Sequence, residues 1–267
     1  MRLQAFMDVL EQLAPAALAE EWDNAGLVIE PEEKDITRVL VALDCTVAVA
    51  REARALGAQL VLAHHPLFFK PARRMYYTDP DTAAACTLIR GGVGFFCAHT
   101  NLDAARNGVN DVLARAVGLR EVYALSRQGT ALEPQNPGVG RIGSLQKPLT
   151  LSQFAKDVAD TLHTVVRISG GGDKHISRVA VIGGAGGGYM DAAVKAGADV
   201  LLTGEVKHDV ALAARVAGME LLEAGHYETE SIVLGPWVEG LQKALKDIQC
   251  RIDFIRATTD KPCLVAP

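Results

Sequence analysis

Two adjacent histidines, His64 and His65, close an apolar run and are followed by Pro66. Proline biases the residue before it toward extended backbone, so His65 leaves the run extended. Neighbouring side chains of an extended chain diverge. Such a pair is poorly suited to chelate one ion and well suited to offer one imidazole to each of two ions a few ångströms apart. A merely polar strand end is the plainer alternative. A second cluster, His99-Thr100-Asn101-Leu102-Asp103, follows the apolar run Gly94–Ala98. There Asp103 can bind a divalent cation or cap a helix, and His99 can ligate an ion or orient a ligand from behind. The third cluster is Gly225-His226-Tyr227-Glu228-Thr229-Glu230, after the run Glu220–Ala224. His226 and Glu230 are four apart, which places both on one face of a helix beginning at this point.

Three histidines and two carboxylates, with no cysteine among them, suit zinc, iron(II) or manganese(II) and leave coordination positions open. The set His64, His65, Asp103, His226 and Glu230 therefore reads as the ligands of two divalent metal ions per chain. Two ions about 3.5–4 Å apart activate water near neutral pH and polarise a substrate oxygen. Asp44, after the run Val39–Leu43, either orients a ligand or caps the helix that starts near Thr46. Glu205 and His208, in Thr203-Gly204-Glu205-Val206-Lys207-His208, are candidates to support a ligand, contact substrate or move protons. The glycine run Gly183 to Gly188 could cradle a phosphate on its backbone amides, or simply turn tightly. His163 and His175 read as surface residues.

The elements that position these residues alternate. Leu3, Phe6, Met7, Leu10 and Leu13 predict an amphipathic helix that stops near Pro15. Strands are expected at Val39–Leu43, Leu60–Ala63 and Val93–Ala98, with helices at Val47–Leu56, Thr82–Arg90 and Asn110–Val117. This is the pattern of crossover units around a mostly parallel sheet, in which ligand chemistry gathers at the carboxyl ends of the strands. Pro134, Pro137, Gly138, Gly140, Gly143 and Pro148 punctuate the stretch from Ser126 onward, where a second lobe begins. A helix at Leu151–Leu162 and a strand at Val165–Ile168 follow.

Shifted by 140 positions, Ile36–His65 aligns without a gap on Ile176–Glu205, and Ile36, Arg38, Val39, Val41, Ala53, Gly57, Ala58 and Leu62 recur identically. With a small length change Val93–His99 matches Met219–His226. Chance likeness between two strand-helix-strand units is the competing explanation. The pattern predicts two related α/β lobes with mostly parallel central sheets and the metal site between them. Residues 1–125 form the first lobe, residues 126–227 the second, and 228–267 return to the first.

Composition excludes several classes. The 267 residues are 49% hydrophobic with a formal charge of −5, enough for a sizeable core and no basic footprint for nucleic acid or anionic membrane. Neither a signal-peptide core nor a long apolar span is evident, so a cytoplasmic location is expected. Cys45, Cys86, Cys97, Cys250 and Cys263 form no C-x-x-C pair and read as small hydrophobes rather than a disulfide framework.

The chain resembles the type 2 GTP cyclohydrolase I homologues, also described as Nif-three-like dinuclear-metal-centre hexameric proteins, over essentially its whole length. The resemblance rests on Trp22-Asp23-Asn24-Ala25-Gly26-Leu27, Leu40–Asp44, His64-His65-Pro66, His99–Asp103, Thr203–His208 and Gly225–Glu230. It implies that His64, His65, Asp103, His226 and Glu230 hold the metals, with Glu230 bridging them and His99 supporting from behind. It also implies a toroidal homohexamer, and the length matches the family's short form. The expected function is a metal-dependent hydrolase acting on a purine nucleotide or related phosphorylated compound, as in GTP cyclohydrolase chemistry. A non-catalytic metal-binding or regulatory assembly is the alternative.

Overall fold

The computed structural model describes residues 1–126, 131–132 and 138–265. Pro134 and Pro137, part of the punctuated stretch, lie outside the described residues. In chain order the elements are α1 (Leu3–Leu13), β1 (Gly26–Ile29), β2 (Arg38–Ala42), α2 (Val47–Ala55), β3 (Leu60–Ala63), α3 (Ala83–Arg90), β4 (Gly94–Cys97), α4 (Thr100–Ala104), α5 (Val109–Ala116), β5 (Arg120–Leu125), β6 (Ala131–Leu132) and β7 (Gly140–Thr150). There follow α6 (Leu151–Leu162), β8 (Arg167–Ser169), β9 (His175–Ile182), α7 (Met190–Lys195), β10 (Val200–Thr203), α8 (His208–Ala217), β11 (Glu220–Glu223), α9 (His226–Ser231), α10 (Leu234–Asp247) and β12 (Asp253–Arg256).

Two compact units result. One comprises Met1–Leu102 and Leu234–Lys261, the other Asp103–Val233 and Pro262–Pro267. The first holds a five-stranded sheet in the order β1-β4-β3-β2-β12. All its pairings are parallel except β1 with β4. The four residues of β3 and of β4 are all buried, as strands covered on both faces must be. Leu40, Val61, Leu88 and Phe95 lie in one core cluster of this unit. The predicted stripe of α1 buries Leu3, Phe6 and Leu10, and α1 packs on α10, whose inner face is Trp237, Leu241 and Leu245.

The second unit holds a seven-stranded sheet, β6-β5-β7-β9-β10-β11-β8. Here the expectation of a mostly parallel sheet holds only for the triplet β9-β10-β11. The strands β5, β6, β7 and β8 join it antiparallel. The reason lies in the glycine-punctuated stretch: it is no bare connector but supplies the long strand β7, which pairs antiparallel with both β5 and β9. Pairing of β5 with β7 also places residues 120–125, read from sequence with the first lobe, in the second sheet.

The internal repeat is borne out in matching backbone contacts. Gln59 accepts the backbone N–H groups of Thr37 and Arg38, both at 2.9 Å. At the positions 140 further on, Asp199 accepts those of Ser177 and Arg178, both at 2.8 Å. Gly57 and Gly197 both end their helices with positive φ, 65° and 75°. Each half therefore runs helix, antiparallel edge strand and three parallel strands: α1-β1-β2-β3-β4 in one, α6-β8-β9-β10-β11 in the other.

Sequence reasoning missed one hub of the second unit. Arg141 is buried, pairs with Asp111, and donates to the carbonyls of Gly138, Gly140, Ala104 and Ala105. It ties the start of β7 to the loop that follows α4. Removing a buried guanidinium leaves a carboxylate and several carbonyls without their donor, so Arg141→Met is expected to cost about 3–5 kcal/mol. A lowered urea midpoint at unchanged slope is the check.

Candidate metal centre

In the first unit, the carboxyl ends of three adjacent parallel strands bring together His64 and His65 after β3, His99 after β4 and Asp44 after β2. The rings of His64 and His65 lie 5.0 Å apart with planes tilted by 43°, and both are about as close to His99, at 5.4 and 5.7 Å. One ligand atom from each of the three lies within 4.8 Å of the others. The pair stands just past Ala63, where the strand has ended, so strict alternation between the faces of a sheet no longer governs it.

Each ring is held from its Nδ1 side. His64 Nδ1 donates to the carbonyl of Ala98, His65 Nδ1 to Asp44 and His99 Nδ1 to Asp23, all at 2.8 Å. A carbonyl or carboxylate can only accept, so in the neutral ring the proton sits on Nδ1 and Nε2 keeps its lone pair. That is the arrangement metal-bound imidazoles adopt, with a carboxylate or carbonyl fixing the tautomer from behind. Asp44 is thus an orienting group; the cap of α2 is Thr46, which accepts from Val49 N–H. His99 carries the same anchoring as His64 and His65, so its chemistry is that of a ligand as much as of a supporting residue.

Asp23 fixes more than one ring. Its second oxygen accepts the Thr100 N–H at 3.0 Å and the Thr100 hydroxyl at 2.5 Å. Burial alone would raise its carboxyl, but the bonds from His99 and Thr100 and the nearby imidazole outweigh it and bring the pKa to about 2. The Trp22-Asp23-Asn24 turn is thereby welded to the end of β4, a partnership across more than 70 residues of sequence that periodicity does not reveal.

In the second unit, α9 begins at His226, and its first turn brings His226 Nε2 to 3.0 Å from Glu230 Oε2. His226 Nδ1 meets Glu205 Oε1 at 2.8 Å. A neutral imidazole has one N–H, so Nδ1 donating to Glu205 leaves a lone pair facing the Glu230 carboxylate. Those two acceptors need a cation between them, a proton or a metal ion. Glu230 is buried, and a carboxylate oxygen of Asp103 lies within 4.8 Å of one of its own. Asp103 is the fourth residue of α4, not its cap. Glycine is required nearby: Gly184, at φ +61°, would drive a Cβ into Glu230.

Two sequence expectations change. Three of the six amides of the glycine run are committed within the protein: Gly183 N–H to Asn110, Gly184 N–H to Thr229 and Gly186 N–H to Thr203. These three hold β9 and β10 against α5 and α9 and so are taken from any phosphate cradle. Glu205 is placed to position His226, whereas His208 starts α8, is exposed, and lines a cleft of about 270 Å³ with Arg167, Ser169, Val206 and Glu223. His163 and His175 are exposed as expected.

Comparison with known proteins bears on this pattern. The family model described as Duf34/NIF3 (NGG1p interacting factor 3) matches residues 1–262. The chain belongs to the DUF34/NIF3 family. A DUF34/NIF3 relative from Clostridium perfringens, named GTP cyclohydrolase 1 type 2 homolog, is 30% identical over 96% of this chain and 95% of its own length. A Streptomyces coelicolor protein of the same name is 34% identical, covering 89% of this chain and 83% of its own. The crystal structure of a Bacillus cereus protein related to NIF3 superposes with a TM-score of 0.92 at 24% identity, covering 100% of this chain and 99% of that one, which establishes the shared fold. Among the described residues no helix is long and apolar enough to cross a membrane.

If the Nδ1 anchors set the ligand tautomers, then Asp23→Asn, Asp44→Asn and Glu205→Gln should each weaken divalent-metal affinity about 10–100-fold without unfolding the protein, as measured by competition with a chromophoric chelator. Asp23 also predicts a pH effect. A carboxyl lowered to about 2 contributes stability in full above its ordinary value near 4, and that contribution is lost as pH falls toward 2. The stability gap between the unaltered chain and Asp23→Asn should therefore be wide at pH 5 and close toward pH 2 in urea titrations.

Proposed function

We propose that the chain is a metal-dependent hydrolase in which His64, His65, Asp103, His226 and Glu230 hold two divalent ions, with a purine nucleotide or related phosphorylated compound as substrate. The observation that carries this reading is the common anchoring: four imidazoles are each held through Nδ1 by a fixed carbonyl or carboxylate, the arrangement that makes Nε2 the ligating nitrogen of a metal-bound histidine. The donor set fits zinc, iron(II) or manganese(II). When bound, the two ions supply Lewis acidity to a substrate oxygen and lower the pKa of a coordinated water.

The residues divide the remaining work. The imidazoles of His64, His65 and His226 would bind as uncharged ligands, whereas Asp103 and Glu230 bring the negative charge that divalent ions require. Glu205 acts through His226 by fixing its ring. His208, exposed at the start of α8, is the group left to move a proton at the substrate. The relatives' name points to purine ring opening, in which the carbon between the two imidazole nitrogens of guanine leaves as formate. The assembly we infer is a homohexamer.

Purified protein is expected to contain about two divalent ions per chain by elemental analysis, to run as six chains by light scattering, and to release formate or phosphate from GTP. Glu230→Ala should lose metal and at least about 10-fold in rate. Release of neither product, with Glu230→Ala indistinguishable from the unaltered chain, would leave a metal-binding assembly without this chemistry.

A further inference from the structure

The segment that leaves the histidine pair differs in character from the rest of the chain. Residues 66–78, Pro-Leu-Phe-Phe-Lys-Pro-Ala-Arg-Arg-Met-Tyr-Tyr-Thr, carry three cations and no acid in a chain whose formal charge is −5. Lys70, Arg73 and Arg74 are exposed, and none of them makes an ion pair or hydrogen bond among the described residues. Phe69, Tyr76 and Tyr77 are more than half exposed. The Arg90 guanidinium lies over the Tyr77 ring, 5.9 Å from its centroid, so the open rings of the segment are Phe69 and Tyr76.

This segment is fixed to the metal-ligand cluster of the same unit. Asn24 Nδ2 donates to the carbonyl of Phe68 at 3.1 Å, beside Asp23, which anchors His99. Phe69 and Trp22 each meet the His99 ring edge to face, with centroids 5.7 and 6.0 Å away. Trp22 is itself 59% exposed and Phe69 62%. Two open aromatic rings therefore flank an anchored imidazole, and three unpaired cations follow within five residues of one of them.

We propose that residues 66–78 with Trp22 form the recognition surface for a nucleoside polyphosphate, the planar base lying against Phe69 and Trp22 and the phosphates meeting Lys70, Arg73 and Arg74. Base faces stack on aromatic rings whatever their hydrogen-bonding edge, and guanidinium groups bind phosphate oxygens in pairs. The aromatic end lies next to the histidines, so the base, not the phosphate tail, is brought to the ions. This inference rests on the hydrolase reading above and names where that site takes its substrate. It also moves phosphate recognition away from the glycine run, three of whose six amides are engaged by Asn110, Thr229 and Thr203.

The test is binding, not turnover. Affinities of the full-length, metal-containing protein for GTP, guanosine and inorganic tripolyphosphate are measured by calorimetry at low and high salt. Elemental analysis of every sample checks that the metals are retained. The combined Lys70→Gln, Arg73→Gln and Arg74→Gln variant is expected to bind GTP and tripolyphosphate at least about 10-fold more weakly and to lose most of the salt dependence. Phe69→Ala should weaken GTP and guanosine by about 10-fold and leave tripolyphosphate unchanged. Unaltered GTP affinity in the triple variant, no GTP binding by the unaltered chain, or losses that track loss of metal would each overturn the proposal. Binding as expected without formate or phosphate release would instead overturn the hydrolase reading and leave this surface standing.

Discussion

A neutral imidazole has a single N–H, and the use made of it decides what the other nitrogen can do. In this protein His64, His65, His99 and His226 all give that proton, through Nδ1, to an acceptor fixed in the fold: a backbone carbonyl in one case, a carboxylate in the other three. The acceptors are the residues whose positions matter most, because a ring released from them could turn over or donate from the wrong nitrogen. Asp23, Asp44 and Glu205 thus belong to the candidate metal-binding clusters of their units as much as the histidines they orient. Their own placement follows from strand ends and from one turn.

Parallel strands make such placement inexpensive. Adjacent strands running the same way finish at the same edge, so three parallel strands joined by two crossovers deliver three loops to one place without any long-range design. Duplication of the unit supplies two such edges, and divergence at the loop positions gives them different chemistry. His65 corresponds to Glu205, and His99 to the Gly225–His226 step. The single residue added there, Gly225 at φ +87°, places its histidine inside the helix rather than ahead of it. Because of that, His226 can face Glu230 one turn later.

How much of this was legible in the sequence follows the range of the interaction. The apolar runs placed β3 and α6 to the residue, since burial on both faces and a regular stripe are properties of local composition. The repeat was visible because Gly57 and Gly197, and the strands before and after them, answer to the same backbone demands in both halves. The antiparallel strands of the second sheet were not, because the turn residues that signal a hairpin also signal a connector. Asp23 as an anchor of His99, Arg141 as a hub and the engagement of the glycine amides by Asn110, Thr203 and Thr229 were out of reach for a common reason: each partner lies far along the chain, and no period links the two. Asp44 was left between two roles from sequence. A 2.8 Å bond to His65 chooses between them.

The return of the chain to its first sheet has a further bearing, on the order of events during synthesis. Strand β2 ends up between β3 and β12, and its pairing with β12 is fastened by Arg38 with Asp253 and by Glu52, which accepts from Thr258 and Thr259. Until β12 has left the ribosome, β2 is an open edge with Val39 and Val41 uncovered, and α1 lacks its partner α10. Some 130 residues, Asp103–Val233, are made in the meantime, a wait on the order of 10 s at ordinary rates of translation. The unit that begins first closes last, and its nascent form carries the kind of unpaired, apolar strand edge that invites pairing with other chains.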